Sequence, residues 1–164
     1  IPQPGFIGGV AQGTRMPAAS FVRATPLDAS TLLELMREFY AEEQLASDAR
    51  CTAALKTLLG DASLGLVYLL RAEGIAVGYM VLTFAYSLER GGKTALLDEL
   101  FIAPAHRRRG LGAAAVDFAM QLAQASGCHA LHLEVAHANA AARSLYARFG
   151  FQSPGRDFLT VDLQ

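Results

Sequence analysis

The stretch 64–87, "LGLVYLLRAEGIAVGYMVLTFAYS", constrains the fold of this chain more than any other feature of the sequence. It is rich in β-branched, aromatic and other apolar residues, and it is interrupted once, at Glu73-Gly74. This pattern predicts a β-hairpin. Residues 93–103, "KTALLDELFIA", predict a further strand directly after it, so the first half of the chain should be built around an antiparallel sheet.

Helical patterns lie on both sides of the hairpin. Further strands are expected at 20–24, 130–135 and 156–163, and helices at 25–44, 51–60, 110–127 and 139–150. The helix at 25–44 carries an apolar stripe of Leu32, Leu35, Met36 and Phe39, and Asn139 is placed to cap the last helix. The order strand, helix, strand over 93–135 completes a mixed α/β architecture.

Composition limits the classes of protein that remain. A length of 164 residues fits one domain, and 52% hydrophobic residues can form a packed core. A net charge of −1 creates no overall field toward nucleic acid or membrane, and no apolar run approaches the roughly 18 residues that span a bilayer. Cys51 and Cys128 are too few for a disulfide scaffold, so we expect a soluble, cytoplasmic protein.

Residues 1–15, "IPQPGFIGGVAQGTR", differ from the rest of the chain because they are rich in Gly, Pro and Gln. They lack the charged start and apolar centre of a secretory signal. We expect an expression leader before a natural start at Met16, with a native disordered arm as the alternative. A single domain is then expected over 16–164.

The densest positive charge lies in "AHRRRGLGAAAVDFA" (105–119), where a strand passes into a helix. The first turn of a helix has unpaired N–H groups and favours an anion. Gly110, Gly112 and Ala113 leave these groups accessible, and Arg107 to Arg109 add charge, so the turn suits a diphosphate. No P-loop and no G-x-G-x-x-G fingerprint is present. A basic helix cap at the surface is the alternative.

Two motifs carry a family resemblance. "RRRGLG" (107–112) resembles the Arg/Gln-x-x-Gly-x-Gly/Ala turn that binds acetyl-coenzyme A in the GNAT superfamily of N-acetyltransferases. "LHLEVAHANAAARSLYARFGF" (131–151) resembles that family's strand, Asn-capped helix, Leu-Tyr pair and Gly-Phe close. With "EFYAEEQ" (38–44) and "LLDELFI" (96–102), the chain resembles the diamine (polyamine) acetyltransferase branch, from which the loop "SLERGG" (87–92) departs.

The resemblance implies a GNAT fold, which is a mixed, splayed, mostly antiparallel sheet flanked by helices. It also implies an acetyl-CoA-dependent N-acetyltransferase that holds its coenzyme in the opening of the sheet, and a homodimer. The expected coenzyme contacts are Leu100, Phe101, Ile102, Arg107, Arg108, Arg109, Gly110, Leu111, Gly112, Ala113 and Asn139.

Two residues receive catalytic roles from the resemblance. Tyr146 corresponds to the general acid that protonates the leaving thiolate, and simple packing against Ala142 and Phe149 is the alternative. Asp98 corresponds to the acidic residue that contacts the amine. Because Asp98 and Glu99 are neighbours on one strand, they should point to opposite faces, with one of them toward the cleft. A surface carboxylate is the alternative for Asp98.

Acidic residues near the expected amine entrance suit a cationic substrate. The candidates are Glu42, Glu43, Glu89 and Glu99, with Glu134 weaker, although each alone is also explained as a solvated surface residue. We expect acetyl transfer to a diamine, polyamine or lysine analogue, directly within a ternary complex. A protein N-terminus, an aminoglycoside and a non-catalytic acyl-CoA sensor are the alternatives.

Cys128, His129 and His132 are close in sequence but do not make a metal site. On a strand the two histidines fall on opposite faces, and no fourth ligand is nearby. We therefore expect no metal. A Cys-His acyl-enzyme is equally unsupported, because Cys51 and Cys128 are typical of small buried residues.

Overall fold

A computed structural model describes residues 19–46 and 48–163, so the leader expected over 1–15 and the start expected at Met16 lie outside the described residues. The strands are β1 (Ala19–Arg23), β2 (Gly65–Ala72), β3 (Ile75–Ser87), β4 (Gly92–Ile102) and β5 (Ala130–Leu133). The α-helices are α1 (Ala29–Glu42), α2 (Ala49–Gly60), α3 (Leu111–Ala125) and α4 (Ala140–Arg148). Single 3-10 turns occupy Pro26–Asp28 and Pro104–His106. No helix in these ranges is both long and apolar enough to cross a membrane.

The sheet has the order β1-β2-β3-β4-β5. Strands β1 to β4 are antiparallel to their neighbours, whereas β4 and β5 are parallel and are joined through α3. The predicted hairpin is confirmed as β2 and β3, and its two-residue turn is Glu73-Gly74. Both turn residues have positive φ, 54° and 81°, as tight hairpin turns require. The expected mixed, mostly antiparallel sheet is therefore confirmed.

Strands β4 and β5 stay together for only part of their length. They pair over Thr94–Leu97 and Ala130–Leu133, yet β4 continues to Ile102. Because β5 ends at Leu133, the two strands part after Leu97. Among the described residues, no strand lies beside the main chain of β4 beyond that point on this edge. The splayed opening expected from the sequence lies here.

Helices cover both faces of the sheet. Helix α3 packs on one face against Met80 and Leu82 of β3, while α1 and α2 pack on the other face against Tyr79 and Val81. This alternation follows from the two-residue period of a strand. Burial on both faces explains why β3 is apolar almost throughout instead of alternating.

Local capping decides where the helices begin. Helix α2 begins at Ala49, earlier than the predicted residue 51, because the Asp48 side chain accepts hydrogen bonds from the N–H groups of Arg50 and Cys51. The predicted cap of α4 is confirmed: Asn139 Oδ1 accepts from the Ala142 N–H at 3.0 Å. Gly150, with φ of 84°, follows the end of that helix.

The strand predicted at 156–163 is wrong. The segment has no strand structure, and its apolar side chains are highly exposed: Phe158, Leu159, Val161 and Leu163. Alternating hydrophobicity favours a strand only where a sheet edge is available for pairing. Within the described chain β5 pairs with β4 alone, and it ends at Leu133, before the predicted residue 135.

Candidate active site

A β-bulge places Asp98 at the point where β4 and β5 part. Strand β4 pairs Leu97 with Leu82 and Glu99 with Val81, so Asp98 is the extra residue between two adjacent pairs. The bulge leaves the Asp98 side chain accessible from a cleft of about 140 Å³. The lining residues are Phe39, Glu43, Leu97, Asp98, Leu100, Glu134, Val135, Ala136, Asn139, Ala142 and Tyr146.

The surroundings of Asp98 raise its pKa above that of an ordinary aspartate. The protein around it withdraws the carboxyl from bulk water, and the nearby negative charge of Glu134 adds to this effect, so both raise the pKa of Asp98. A carboxylate with a raised pKa is a better proton acceptor than an ordinary aspartate. Asp98 therefore has the chemistry of a general base.

Tyr146 is brought to the same cleft by α4. Its ring contacts Phe151 edge-on, with ring centroids 5.8 Å apart. Burial raises the pKa of the phenol, so the hydroxyl keeps its proton at neutral pH. Tyr146 and Asp98 thus line one cleft as a potential proton donor and a potential proton acceptor.

Glu99 faces the α1 side of the sheet instead of this cleft. Its carboxylate accepts hydrogen bonds from the hydroxyls of Tyr40 at 2.6 Å and Tyr79 at 2.7 Å. Burial raises the pKa of Glu99, while the two phenol hydrogen bonds act in the opposite direction. Sequence analysis did not find this network, although a buried tyrosine in β3 needs a hydrogen-bond partner and so gives a signal.

The turn before α3 presents main-chain donors. The first bond within the helix runs from the Ala114 N–H to the Gly110 carbonyl, and Gly110, at φ 80°, provides no side-chain cap. The N–H groups of Leu111, Gly112 and Ala113 therefore have no partner within the helix. A Cβ added at Gly112 would lie 3.4 Å from Leu145 Cδ2, an ordinary contact. The packing of the protein therefore does not require glycine at residue 112. A ligand that approaches the N–H groups closely would require it, because a larger side chain would occupy the same space.

The three arginines of the turn differ in their contacts. Arg107 turns toward α1, where its Nη1 donates to Glu42 Oε1 at 2.7 Å, and its Nε donates to the Ile102 carbonyl at 2.7 Å. The guanidinium lowers the pKa of the Glu42 carboxyl. Arg108 and Arg109 are exposed. Arg107 therefore links the end of β4 to α1.

The predicted acidic residues do not come together in one place. Glu43 lines the cleft with Asp98 and Tyr146, and so does Glu134, which carried the weakest expectation. Glu42 pairs with Arg107, and Glu89 pairs with Arg156 at 3.0 Å, away from the cleft lining. Only part of the expected acidic lining surrounds the cleft.

Cysteine and histidine residues take structural positions. His129 Nδ1 lies 3.1 Å from the Arg90 carbonyl oxygen. Cys51 and Cys128 are unpaired and half-buried, and burial raises the pKa of the Cys128 thiol, which disfavours its nucleophilic form. Across 19–46 and 48–163, no three His, Cys, Asp or Glu side chains form a group that could hold a metal ion.

Several known proteins are similar to this chain in sequence, and solved structures are similar to it in fold. Residues 29–151 match the acetyltransferase (GNAT) family. A thialysine N-epsilon-acetyltransferase of Bos taurus is 26% identical over 76% of this chain and 79% of its own. The uncharacterized N-acetyltransferase YhfO of Bacillus subtilis (strain 168) is 29% identical over 79% of this chain and 87% of its own. An integron cassette protein from the Cole Harbour Salt Marsh metagenome has a TM-score of 0.78 and 35% identity, covering 88% and 90% of the two chains. The chain therefore belongs to the GNAT family, and it is an acetyl-CoA-dependent N-acetyltransferase.

Proposed function

We propose that the enzyme acetylates the primary amine of a small cationic acceptor, such as a diamine, a polyamine or a lysine analogue. The observation that carries this proposal is the cleft itself, where Glu43, Asp98 and Glu134 lie with Tyr146. Three carboxylates in a narrow cleft attract a cation. The bovine relative is named for thialysine, a lysine analogue, which agrees with this class of acceptor.

In the proposed reaction the acetyl group moves directly from the thioester to the amine within a ternary complex. Asp98 accepts a proton from the ammonium group, directly or through water, and the neutral nitrogen forms a bond to the acetyl carbonyl carbon. The carbon–sulfur bond then breaks, and Tyr146 gives its proton to the departing thiolate. The nitrogen, which carries one extra proton after the attack, gives that proton to the Tyr146 oxygen directly or through water, so that a neutral amide and a neutral phenol remain. The raised pKa values of Asp98 and Tyr146 suit these two roles.

The coenzyme is proposed to lie along the unpaired edge of β4 and over the start of α3. Main-chain groups of Leu100 to Ile102 would hold the pantetheine arm, and one N–H would polarise the acetyl carbonyl. The N–H groups of residues 111–113, with Arg108 and Arg109, would bind the diphosphate. Arg107 already binds Glu42, so we assign it to positioning this turn. Asn139 caps α4 and lines the cleft, where its amide would reach the pantetheine.

A thiol-release assay with a panel of acceptors tests this function. Acetyl-CoA is offered with putrescine, spermidine, lysine, thialysine, a peptide with a free N-terminus and an aminoglycoside. We expect coenzyme A release with the small amines, intersecting initial-rate lines and no acetylated enzyme by mass spectrometry. Release with the peptide or the aminoglycoside alone would assign that acceptor instead. Acetyl-CoA binding without release for any acceptor would indicate a sensor.

We also propose a homodimer, acting in the cytoplasm. Phe158, Leu159, Val161 and Leu163 expose a row of apolar side chains in one segment, and a second copy of the chain would cover them. The unpaired cysteines suit a reducing compartment. Sedimentation should give twice the chain mass, and Leu159→Ser with Val161→Ser should shift it toward one chain. A wild-type protein that sediments as one chain would contradict the dimer.

A further inference from the structure

A second cavity opens next to the catalytic cleft. It encloses about 460 Å³ between α1, α2 and the sheet, a volume within the range of small-molecule sites. Asp98 lines both this cavity and the cleft that contains Tyr146. Asp98 is therefore common to the walls of the cleft and of the cavity, and the two lie next to each other at this residue.

The lining of this α1–α2 cavity is acidic at one end and uncharged elsewhere. Asp98 and Glu99 supply its carboxylates, and the described remainder is mainly apolar, including Met36, Leu55, Leu58 and Val81. Glu99 pairs with Val81 across the sheet, and Thr83, also in the lining, lies two residues further along β3. The two charged residues of the described lining are therefore neighbours on β4, and one of them, Asp98, also lines the cleft.

Binding of a second ammonium group inside this cavity is energetically unfavourable. Each carboxylate oxygen of Glu99 already accepts a hydrogen bond from a phenol, one from Tyr40 and one from Tyr79. The other described lining residues carry no charge, so an ammonium group that lies beyond Glu99 would leave water without an opposite charge beside it, which is costly. An uncharged apolar group would gain free energy at the same place, because it removes apolar surface from water.

We propose that the α1–α2 cavity binds an apolar arm of the acceptor, so that the preferred substrate is a primary amine joined to an aryl or branched alkyl group. This inference rests on the proposed function, since it assumes that the amine reaches Asp98. It narrows the proposed acceptor class to small primary amines with a single charged end. Diamines and polyamines, which carry a second charge, are then expected to be poorer acceptors.

A series of primary amines tests the arm directly. The series is propylamine, hexylamine, 2-phenylethylamine, 4-phenylbutylamine and putrescine, each with saturating acetyl-CoA. We expect kcat/KM to rise about fourfold per methylene group that enters the cavity. Putrescine should be a poorer acceptor than hexylamine. Equal kcat/KM values across the uncharged arms, or a preference for putrescine, would overturn the proposal.

A pair of variants on α2 locates the arm. Ala54 and Ala53 are neighbouring exposed residues, but only Ala54 lines the cavity. Ala54→Phe should reduce kcat/KM for 4-phenylbutylamine by about tenfold or more while it leaves propylamine nearly unchanged. Ala53→Phe is the matched control and should change neither. An equal effect on both amines, or none on either, would contradict the proposal.

Calorimetry separates a failure of this inference from a failure of the proposed function. Binding of 4-phenylbutylamine is measured in the presence of coenzyme A, where no transfer can occur. If neither this series nor spermidine, lysine and thialysine is acetylated, the proposed function fails. The cavity is still tested, because 4-phenylbutylamine should bind the wild type and bind Ala54→Phe at least about tenfold more weakly. No binding to the wild type would overturn the inference.

Discussion

At the scale of single residues, the hydroxyl of Tyr146 is the group most directly open to test. Tyr146→Phe keeps the ring and its contact with Phe151 but removes the proton. We expect turnover to fall about 10²–10⁴-fold with little change in coenzyme affinity. Tyr86→Phe is the control, because Tyr86 is exposed and lies outside the cleft lining. Steady-state kinetics with one amine measure both, and full activity of Tyr146→Phe would exclude the acid role.

The charge of Glu134 near Asp98 leads to a prediction about how activity depends on pH. Asp98 accepts a proton only when ionised, so activity should fall with decreasing pH as it becomes protonated. Its raised pKa places this loss at higher pH than an ordinary aspartate would. Because the charge of Glu134 contributes to that rise, Glu134→Gln should lower the pKa of Asp98 and move the acid limb of kcat/KM to lower pH.

The control for this pH profile is Glu89→Gln. Glu89 pairs with Arg156 away from the cleft, so its removal should leave the acid limb in place. The same amine must be used throughout, since its own ionisation also shapes the profile. An acid limb that stays unchanged in Glu134→Gln would mean that Asp98 is not the base.

Residue-level prediction from sequence succeeded where the signal is local and failed where partners are distant. The Asn139 cap was predictable because it bonds to the N–H three residues later. The partners of Arg107 and Glu99 were not predictable, because Glu42 and Tyr40 are 65 and 59 residues away in sequence. The bulge at Asp98 depends on how β4 pairs with β3, and sequence periodicity does not reveal that pairing.

At the scale of elements, the start of α3 carries the coenzyme proposal. Gly112→Ala should be tolerated, because the new Cβ would make ordinary contacts with the side chains of Leu145 and Ile102. Gly112→Val adds bulk next to the exposed N–H groups and should weaken coenzyme A binding about tenfold or more, which corresponds to roughly 1.4 kcal/mol. Calorimetry with coenzyme A measures both affinities.

The matched control is Ala125→Val, at the other end of the same helix. Ala125→Val also places a β-branched valine in helix α3 and so carries a similar cost in conformational free energy, but residue 125 lies far from the turn. Circular dichroism must show that each variant is folded. A folded Gly112→Val with wild-type affinity would remove the diphosphate assignment.

Elements were predictable from sequence where each one packs or pairs with an element that is close to it along the chain. The hairpin β2–β3 and the unit β4-α3-β5 follow from turn signals and periodicity, and both form as expected. The segment 156–163 has the right alternation but forms no strand. A strand forms only where its main chain can bond to a neighbouring strand, and the sequence pattern of the segment does not show whether such a neighbour is available.

At the scale of the whole molecule, the raised pKa of Asp98 suits its proposed role as a base but lowers the free energy of unfolding at neutral pH. The folded protein holds the Asp98 proton more tightly than the unfolded chain does. The free energy of unfolding therefore falls as pH rises from the ordinary aspartate range through the raised pKa. Asp98→Asn removes this penalty, so the variant should be more stable than the wild type at pH 7 and much less active.

Urea unfolding at several pH values measures the effect. The stability advantage of Asp98→Asn should shrink as the pH falls from the raised pKa to the ordinary aspartate range. It should be lost below that range, where the wild-type carboxyl is protonated in both the folded and the unfolded state. A variant that is less stable than the wild type at pH 7 would contradict the linkage.

The parting of β4 and β5 also bears on how new specificities can arise in such a molecule. The proposed coenzyme contacts come largely from main-chain groups of β4 and α3, which amino-acid replacement leaves in place. Much of the wall of the α1–α2 cavity is instead formed by side chains on two outer helices, and those can be exchanged one at a time. Replacements on these helices that spare Tyr40 and Glu42 leave the contacts with Glu99 and Arg107 in place. A library of substitutions confined to α1 and α2 would alter the choice of acceptor while the acetyl donor stays the same.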